Sequence, residues 1–419
     1  MIKRLIRGCR RRIRSIVKRV RAQEKQQEQK VEEPKTESKT EISIEELCHL
    51  LKIDVPKEYE SEKTKPVSDT TLFDSLKAEG RVTLVAVGLY GLDKRAKSFK
   101  KSYHQMSTFD HSDSELLRLF VEYVYAFRPL KFSPSQYFAY ELHKKSTEEA
   151  NKYINTAFRG RISRCNSVEH RKYFRQKNLC NEKFSKYIHR KWIYAPDSDL
   201  CEFAEFVKEF PTCLVKPDSA NKGKGVRILK ISNEDNIEQL YNQCVEEKLI
   251  LEQVLSNEKT IKEINPCTLN TLRINTFVDV NDKPNVVTAG IRFGRKGGVI
   301  DNHAAGGVWA LIDVASGIIM TDGLDKSHVR HSVHPDTLKE IKGVKIPKWD
   351  EIIEVVKELS VVVPEVRNVG WDIALTEDGK IELIEGNNAP NLYITQEPDQ
   401  VGKRHLYEKY VEEVEKLKE

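Results

Sequence analysis

The sequence predicts an α+β protein of two or three domains, mostly helical at the front and strand-rich behind. Three observations carry this. Amphipathic helical spacing dominates Ser114–Phe127 and its neighbours, whereas short apolar runs bounded by Gly, Pro, Asn and Asp recur from about residue 213 onward. Near the end, Gly370–Leu375 and Lys380–Asn388 read as two strands joined through Asp378-Gly379. The 419 residues, 39% hydrophobic and 32% charged, suffice for real cores with a polar exterior.

In chain order, residues 1–21 come first, with ten Lys or Arg and no acid, so the net charge of +6 is local and the remaining chain is net acidic. Ile2, Leu5, Ile6, Cys9, Ile13, Ile16, Val17 and Val20 fall within an arc of about 120° of a helix. A basic amphipathic helix of this kind suits an anionic membrane surface; a partner-binding helix or an organellar targeting peptide are the alternatives. Nucleic-acid binding is not expected, because no aromatic residue is interleaved with the charge. Residues 22–42 hold too few apolar side chains for a core and read as a disordered linker. Ser43-Ile-Glu-Glu46 is a capping box opening a short helix through Leu51, and a loose segment over about 54–70 follows. Val82–Val87 is a strand or part of a helix. Helices follow over Ser114–Phe127, ended by Pro129, then Tyr137–Lys145 and Glu148–Phe158. Residues 43–170 thus form a helical accessory region.

The chemistry lies in the rest, residues 171–419. Cys213–Pro217 is a strand ending in Lys216, followed by a loop containing Gly223 and Gly225 and a strand Val226–Leu229. A glycine loop between strands lets N–H groups approach phosphate oxygens, with Lys216 as a nearby point charge. It is no Walker A loop, since G-x-x-x-x-G-K-[ST] is absent. Leu249–Leu255 is a strand that turns polar at its end. Asn270–Ile274 and Ala289–Arg292 each carry an arginine, Arg273 and Arg292, among apolar neighbours, where an anion or a carboxylate must answer the charge. His328, His331 and His334 are spaced by three but lie in a polar, Pro335-containing loop, which argues against zinc. The helix Asp350–Leu359 leads to the hairpin.

If Asp378 and Gly379 form a two-residue turn, Glu377 faces Lys380 and Asp372 faces Glu385, on a face shared with Ala374, Ile381 and Leu383. Like charges so close require a cation, and Asn387 adds an amide oxygen, so Asp372, Glu385 and Asn387 form an oxygen platform for Mg²⁺. The bland alternative is a solvated acidic hairpin.

Asp followed on the next strand by Glu-x-Asn, with Glu385-Gly386-Asn387-Asn388-Ala389-Pro390-Asn391, resembles the metal-binding hairpin of the ATP-grasp superfamily. Within it, Trp371–Gln396 is most similar to the sugar-transfer-associated branch related to α-L-glutamate ligases. The resemblance covers roughly Asn181 to Gln396. It implies an ATP-grasp fold, two α+β lobes clasping Mg·ATP, and ATP and Mg²⁺ as cofactors. It implies that Lys183, in Asn181-Glu182-Lys183, meets a phosphate, with Lys186 as rival. Glu252 would lie beside the base or ribose, and the backbone of Gln253 and Leu255 would read the adenine edge. Asn302, His303, Gly306 and Gly307 would line the acceptor side, while Lys216, Arg273 and Arg292 steady phosphoryl groups. The implied activity is an ATP-dependent carboxylate–amine ligase acting through an acyl phosphate, joining an amino acid or amine to a sugar acid for capsular polysaccharide. A small-molecule kinase or a non-catalytic nucleotide-binding scaffold are the alternatives. The eight scattered cysteines and the absence of a secretory pattern suggest a cytoplasmic protein, peripheral on the inner membrane face if residues 1–21 bind lipid.

Overall fold

The computed structural model describes residues 41–83, 91–106, 109–219, 225–232, 234–296 and 306–418. The basic helix at 1–21, nearly all of the linker at 22–42, most of the 82–87 run, Gly223, Asn302 and His303 lie outside them.

The front of the chain is helical: α1 (Ile44–Leu51), α2 (Thr71–Ala78), α3 (Leu92–Tyr103), α4 (Asp113–Glu122), α5 (Pro134–Ala139), α6 (Thr147–Ala150), α7 (Thr156–Arg164) and α8 (Lys177–Lys183). Ser43 caps α1 reciprocally with Glu46, as the capping-box pattern predicts. The helix beginning at α4 continues as one π turn over Tyr123–Phe127. Helix α2 lies just beyond the segment read as loose, and Glu148–Phe158 is not one helix: it breaks after Ala150, and Asn155 accepts the Phe158 N–H to start α7. The local competition that Asn offers the backbone explains the break. Phe99 anchors the helical core, with ring centroids 4.7 Å from Phe138 and 5.1 Å from Phe120.

A four-stranded antiparallel sheet follows, built from β1 (Trp192–Tyr194), β2 (Thr212–Pro217), β3 (Arg227–Lys230) and β4 (Leu249–Gln253) in the order β1-β4-β2-β3. Helices α9 (Leu200–Glu209) and α10 (Ile237–Glu246) cover one face, packing Phe203, Phe206 and Val207 against Cys213, Val215, Leu249 and Leu251. The period of two then places Lys216 and Glu252 on the opposite face.

After α11 (Lys259–Ile264) comes a seven-stranded sheet: β5 (Thr271–Val278), β6 (Pro284–Phe293), β7 (Val308–Ile312), β8 (Gly323–Leu324), β9 (Arg330–His331), β10 (Asn368–Leu375) and β11 (Ile381–Asn387), ordered β11-β10-β5-β6-β7-β8-β9. Helix α12 (Trp349–Ser360) covers one face with Trp349, Ile352, Val356 and Leu359, against Leu272, Ile274, Trp371 and Ile373. Arg273, Asn368, Gly370 and Asp372 alternate to the other face. There α7 and the C-terminal α13 (His405–Lys416) pack through Phe158, Tyr407 and Val411 onto Phe277.

Candidate active site

The turn of the β10–β11 hairpin differs from the sequence expectation. Thr376 N–H bonds Lys380 O at 3.0 Å, so three residues form the loop, and Gly379 supplies its positive φ of 77°. The register near the turn is therefore one residue off the expected pairing: Ala374 faces Glu382 and Ile373 faces Leu383. A bulge that leaves Ile384 unpaired restores the count, and Asp372 does stand opposite Glu385, with Gly370 opposite Asn387. The bulge also corrects the face: Glu382, rather than Ile381 and Leu383, lies on the side of Asp372.

Asp372, 3% exposed, accepts Arg273 Nε at 2.6 Å and Nη2 at 2.7 Å, and also pairs with Arg292. Arg273 faces Asp372 across the β5–β10 ladder, and Arg292 comes from β6 beyond it. Burial raises the Asp372 carboxyl, but the two guanidinium charges outweigh it and hold it at about 2. Glu385 makes no hydrogen bond or ion pair among the described residues. Burial, then the Asp372 charge, pushes its pKa up against the pull of Arg273, Lys216 and Arg292. Asn387 Oδ1 accepts the Ala389 N–H at 3.0 Å.

Opposite, on the small sheet, Lys216 Nζ lies 2.6 Å from Glu252. Arg190, 4% exposed, reaches Glu252 at 3.0 Å and Glu382 at 2.6 Å, so one guanidinium ties the small sheet to the hairpin of the large one. Burial raises the Glu252 carboxyl, and Arg190 and Lys216 overcome this and hold it at about 2. Sequence reasoning missed Arg190 and Glu382; in Ile188-His-Arg-Lys191 the arginine looks like one of several surface cations.

The structure brings Asp372, Glu385, Asn387, Arg273, Arg292, Lys216 and Glu252 to one region. Lys183 does not join them: it is exposed at the end of α8, 5.6 Å from the Tyr173 ring centroid. Lys177, at the other end of α8, stands there instead, bonded to Asp218 O at 3.2 Å and feeling Glu385, Lys216 and Glu252. Glu252 is the counter-ion of Lys216 and Arg190, and the Gln253 N–H is spent on Lys191 O at 2.9 Å, which removes it as a free reader of an adenine edge. Leu255 lies just past β4, and Gly225 has φ 76° at the end of the glycine loop. Gly306 and Gly307 immediately precede β7. The three histidines part company: His328 binds Glu397, His331 binds Asp325 at 3.0 Å, and His334 binds Gly294 O at 2.9 Å.

A large antiparallel sheet whose hairpin opposes two carboxylates beneath two arginines, facing a smaller sheet with a buried lysine, defines the ATP-grasp class. The chain belongs to the sugar-transfer associated ATP-grasp family, whose model matches residues 161–413. Among solved structures, the ATP-grasp ligase PsnB complexed with a minimal precursor is 12% identical, with a TM-score of 0.35 over 58% of this chain and 61% of that one. D-alanyl-alanine synthetase A from Vibrio cholerae is 11% identical, with a TM-score of 0.35 over 58% and 65% of the two chains. D-alanine–D-alanine ligase from Bacillus anthracis, complexed with ATP, is 13% identical, with a TM-score of 0.34 over 58% and 66%. No curated protein matches the chain.

Proposed function

We propose that this protein is an ATP- and Mg²⁺-dependent carboxylate–amine ligase. The observation that carries the reading is the Asp372–Glu385 pair, opposed on one sheet face, with Glu385 lacking a protein cation of its own among the described residues. The residues fit a hard divalent cation: Asp372, Glu385 and Asn387 offer carboxylate and amide oxygens, and the raised pKa of Glu385 is that of a carboxylate awaiting positive charge. Bound Mg²⁺ would neutralise phosphate charge there.

The chain's own residues then divide the work. Arg273 and Arg292 supply fork-shaped donors for the transferred phosphoryl group, and Lys216 and Lys177 supply charge for the remaining phosphates, with Lys183 a more distant candidate. Arg190 and Glu382 hold the two sheets in register around them. A substrate carboxylate attacks the γ-phosphate of ATP, releasing ADP and forming an acyl phosphate; an amine then displaces phosphate and closes the amide. Both steps shift negative charge between oxygens, so fixed cations are the catalyst and no nucleophilic side chain is required.

The sugar-transfer association supports a sugar acid and an amino acid or amine as substrates, within cell-surface polysaccharide synthesis. Gly306 and Gly307, with Asn302 and His303, are proposed for the acceptor side. No helix among the described residues is long and apolar enough to cross a membrane; contact with an anionic leaflet is proposed for residues 1–21, tested by liposome flotation of the full chain. The central test is a thermal shift with Mg·ATP. The wild type is expected to be stabilised only when magnesium is present, and Glu385→Gln to keep its fold but lose the shift. An equal shift in both proteins would sink the metal assignment. ADP release that proceeds without any amine would point to a kinase instead.

A further inference from the structure

Glu385 has no side-chain hydrogen bond or ion pair among the described residues, so its place opposite Asp372 is decided by its backbone, which follows directly on the Ile384 bulge. What seats the bulge is one side chain from outside the sheet. Strand β11 ends the order of the large sheet, and Arg190, between α8 and β1, reaches it there. Arg190 Nη1 donates to Leu383 O at 2.6 Å, and Nη2 donates to Ile384 O at 3.4 Å. In a regular strand successive carbonyls point to opposite edges, so only a bulge turns two in a row towards one donor. Glu382, one residue earlier, accepts Arg190 Nη1 at 2.6 Å and the His189 N–H at 2.7 Å. The three residues before Glu385 are therefore held from one point.

The other half of the guanidinium faces the small sheet. Nη2 lies 3.0 Å from Glu252 Oε1, the same oxygen that Lys216 Nζ approaches at 2.6 Å. Lys216 is assigned above to phosphate, and to reach one it must leave Glu252. Without Arg190 that move would strip a buried carboxylate of both its paired cations, whereas with Arg190 in place Glu252 keeps one.

We propose that Arg190 is a positioning residue for both halves of the site: through the bulge carbonyls it sets the backbone that carries Glu385 to the metal, and through Glu252 it releases Lys216 to the nucleotide phosphates. It acts through these groups, not on metal or phosphate directly. The role needs the rigid fork of a guanidinium, which presents donors in two directions at once. A lysine here would be a compact charge on a flexible stem, able to answer one carboxylate but not to span Glu252, Glu382 and two carbonyls. The inference rests on the ligase reading, which assigns Glu385 to metal and Lys216 to phosphate.

The test uses the full chain, with Mn²⁺ binding read by electron paramagnetic resonance and Mg·ADP binding by calorimetry. Arg190→Lys and Arg190→Gln are each expected to weaken Mn²⁺ about tenfold or more, the scale on which partners that orient metal ligands act, and to weaken Mg·ADP as well. Phe99→Leu, in the helical core, is expected to lower the melting temperature and change neither titration, which separates positioning from general loss of stability. A purely structural charge would be restored by lysine, so wild-type affinity for Mn²⁺ or for Mg·ADP in Arg190→Lys overturns the proposal; should that variant not fold, the same result in Arg190→Gln does so. Mn²⁺ binding that Glu385→Gln fails to weaken overturns the metal reading separately, through a variant that leaves Arg190 intact.

Discussion

Glu252, fully buried, and Glu385, half-buried, show how neighbours decide the fate of a carboxylate. Glu252 is met by Arg190 and Lys216 and is held at about 2, whereas Glu385 faces Asp372 and rises. A depressed carboxylate adds stability that is complete above its ordinary value and is lost as the pH falls towards its folded one. Glu252→Gln is therefore expected to cost about 3–5 kcal/mol at neutral pH, by leaving Lys216 buried without its anion and Arg190 with Glu382 alone. Its stability should also fall less steeply than the wild type's between about pH 4.5 and pH 2, measured by urea unfolding across that range. Glu385→Gln has the opposite sign. With a charge repelled by Asp372 removed, the ligand-free protein should melt higher, in the same scans that read the Mg·ATP shift.

At the scale of the element, the β10–β11 hairpin reaches its functional pairing by two departures from regularity that cancel. The three-residue turn shifts the ladder by one, and the Ile384 bulge shifts it back. Asp-Gly was a correct signal for the turn and an insufficient one for its length. What holds Asp372 opposite Glu385 is the ladder to β5, where Asp372 faces Arg273, and the burial of Trp371, Ile373 and Leu383 beneath α12. Gly379→Val is thus expected to destabilise the protein by about 1–2 kcal/mol, the cost of a left-handed φ at a residue with a Cβ, and to leave the Mg·ATP shift intact. Denaturation midpoints with and without Mg·ATP check both halves.

Across the whole molecule, the helical front and the catalytic sheets are stitched together by the C-terminal segment. Gln396, fully buried, accepts the Ile154 N–H at 2.9 Å and donates to Tyr140 OH at 2.8 Å, and Gln400 Oε1 accepts from Lys145 at 2.9 Å. Helix α7 shares its core with α13 and β5 rather than with the aromatic cluster around Phe99. We therefore place the proposed division near Asn155 rather than at residue 170. A chain starting at residue 41 is expected to keep the melting temperature and the Mg·ATP shift. One starting at residue 156 strips the partners from Gln396 and exposes apolar surface, so it should melt lower and aggregate, as size-exclusion chromatography would show.

The sequence by itself determined the strands β2 to β6, the hairpin strands β10 and β11, the α12 stripe and the capping box, because each follows from a local period or a local turn; β1 and β7 to β9 carry no such local signal. It also placed Arg273 and Arg292 among apolar neighbours, where an anionic answer was required. Only the tertiary structure decided which anion answered. It also brought Lys177 rather than Lys183 to the site, and turned Arg190 from one basic residue among several into the tie between Glu252 and Glu382, 62 and 192 positions away. The reason is physical: periodicity fixes which way a side chain points, but the charge it meets depends on which distant strand packs against it.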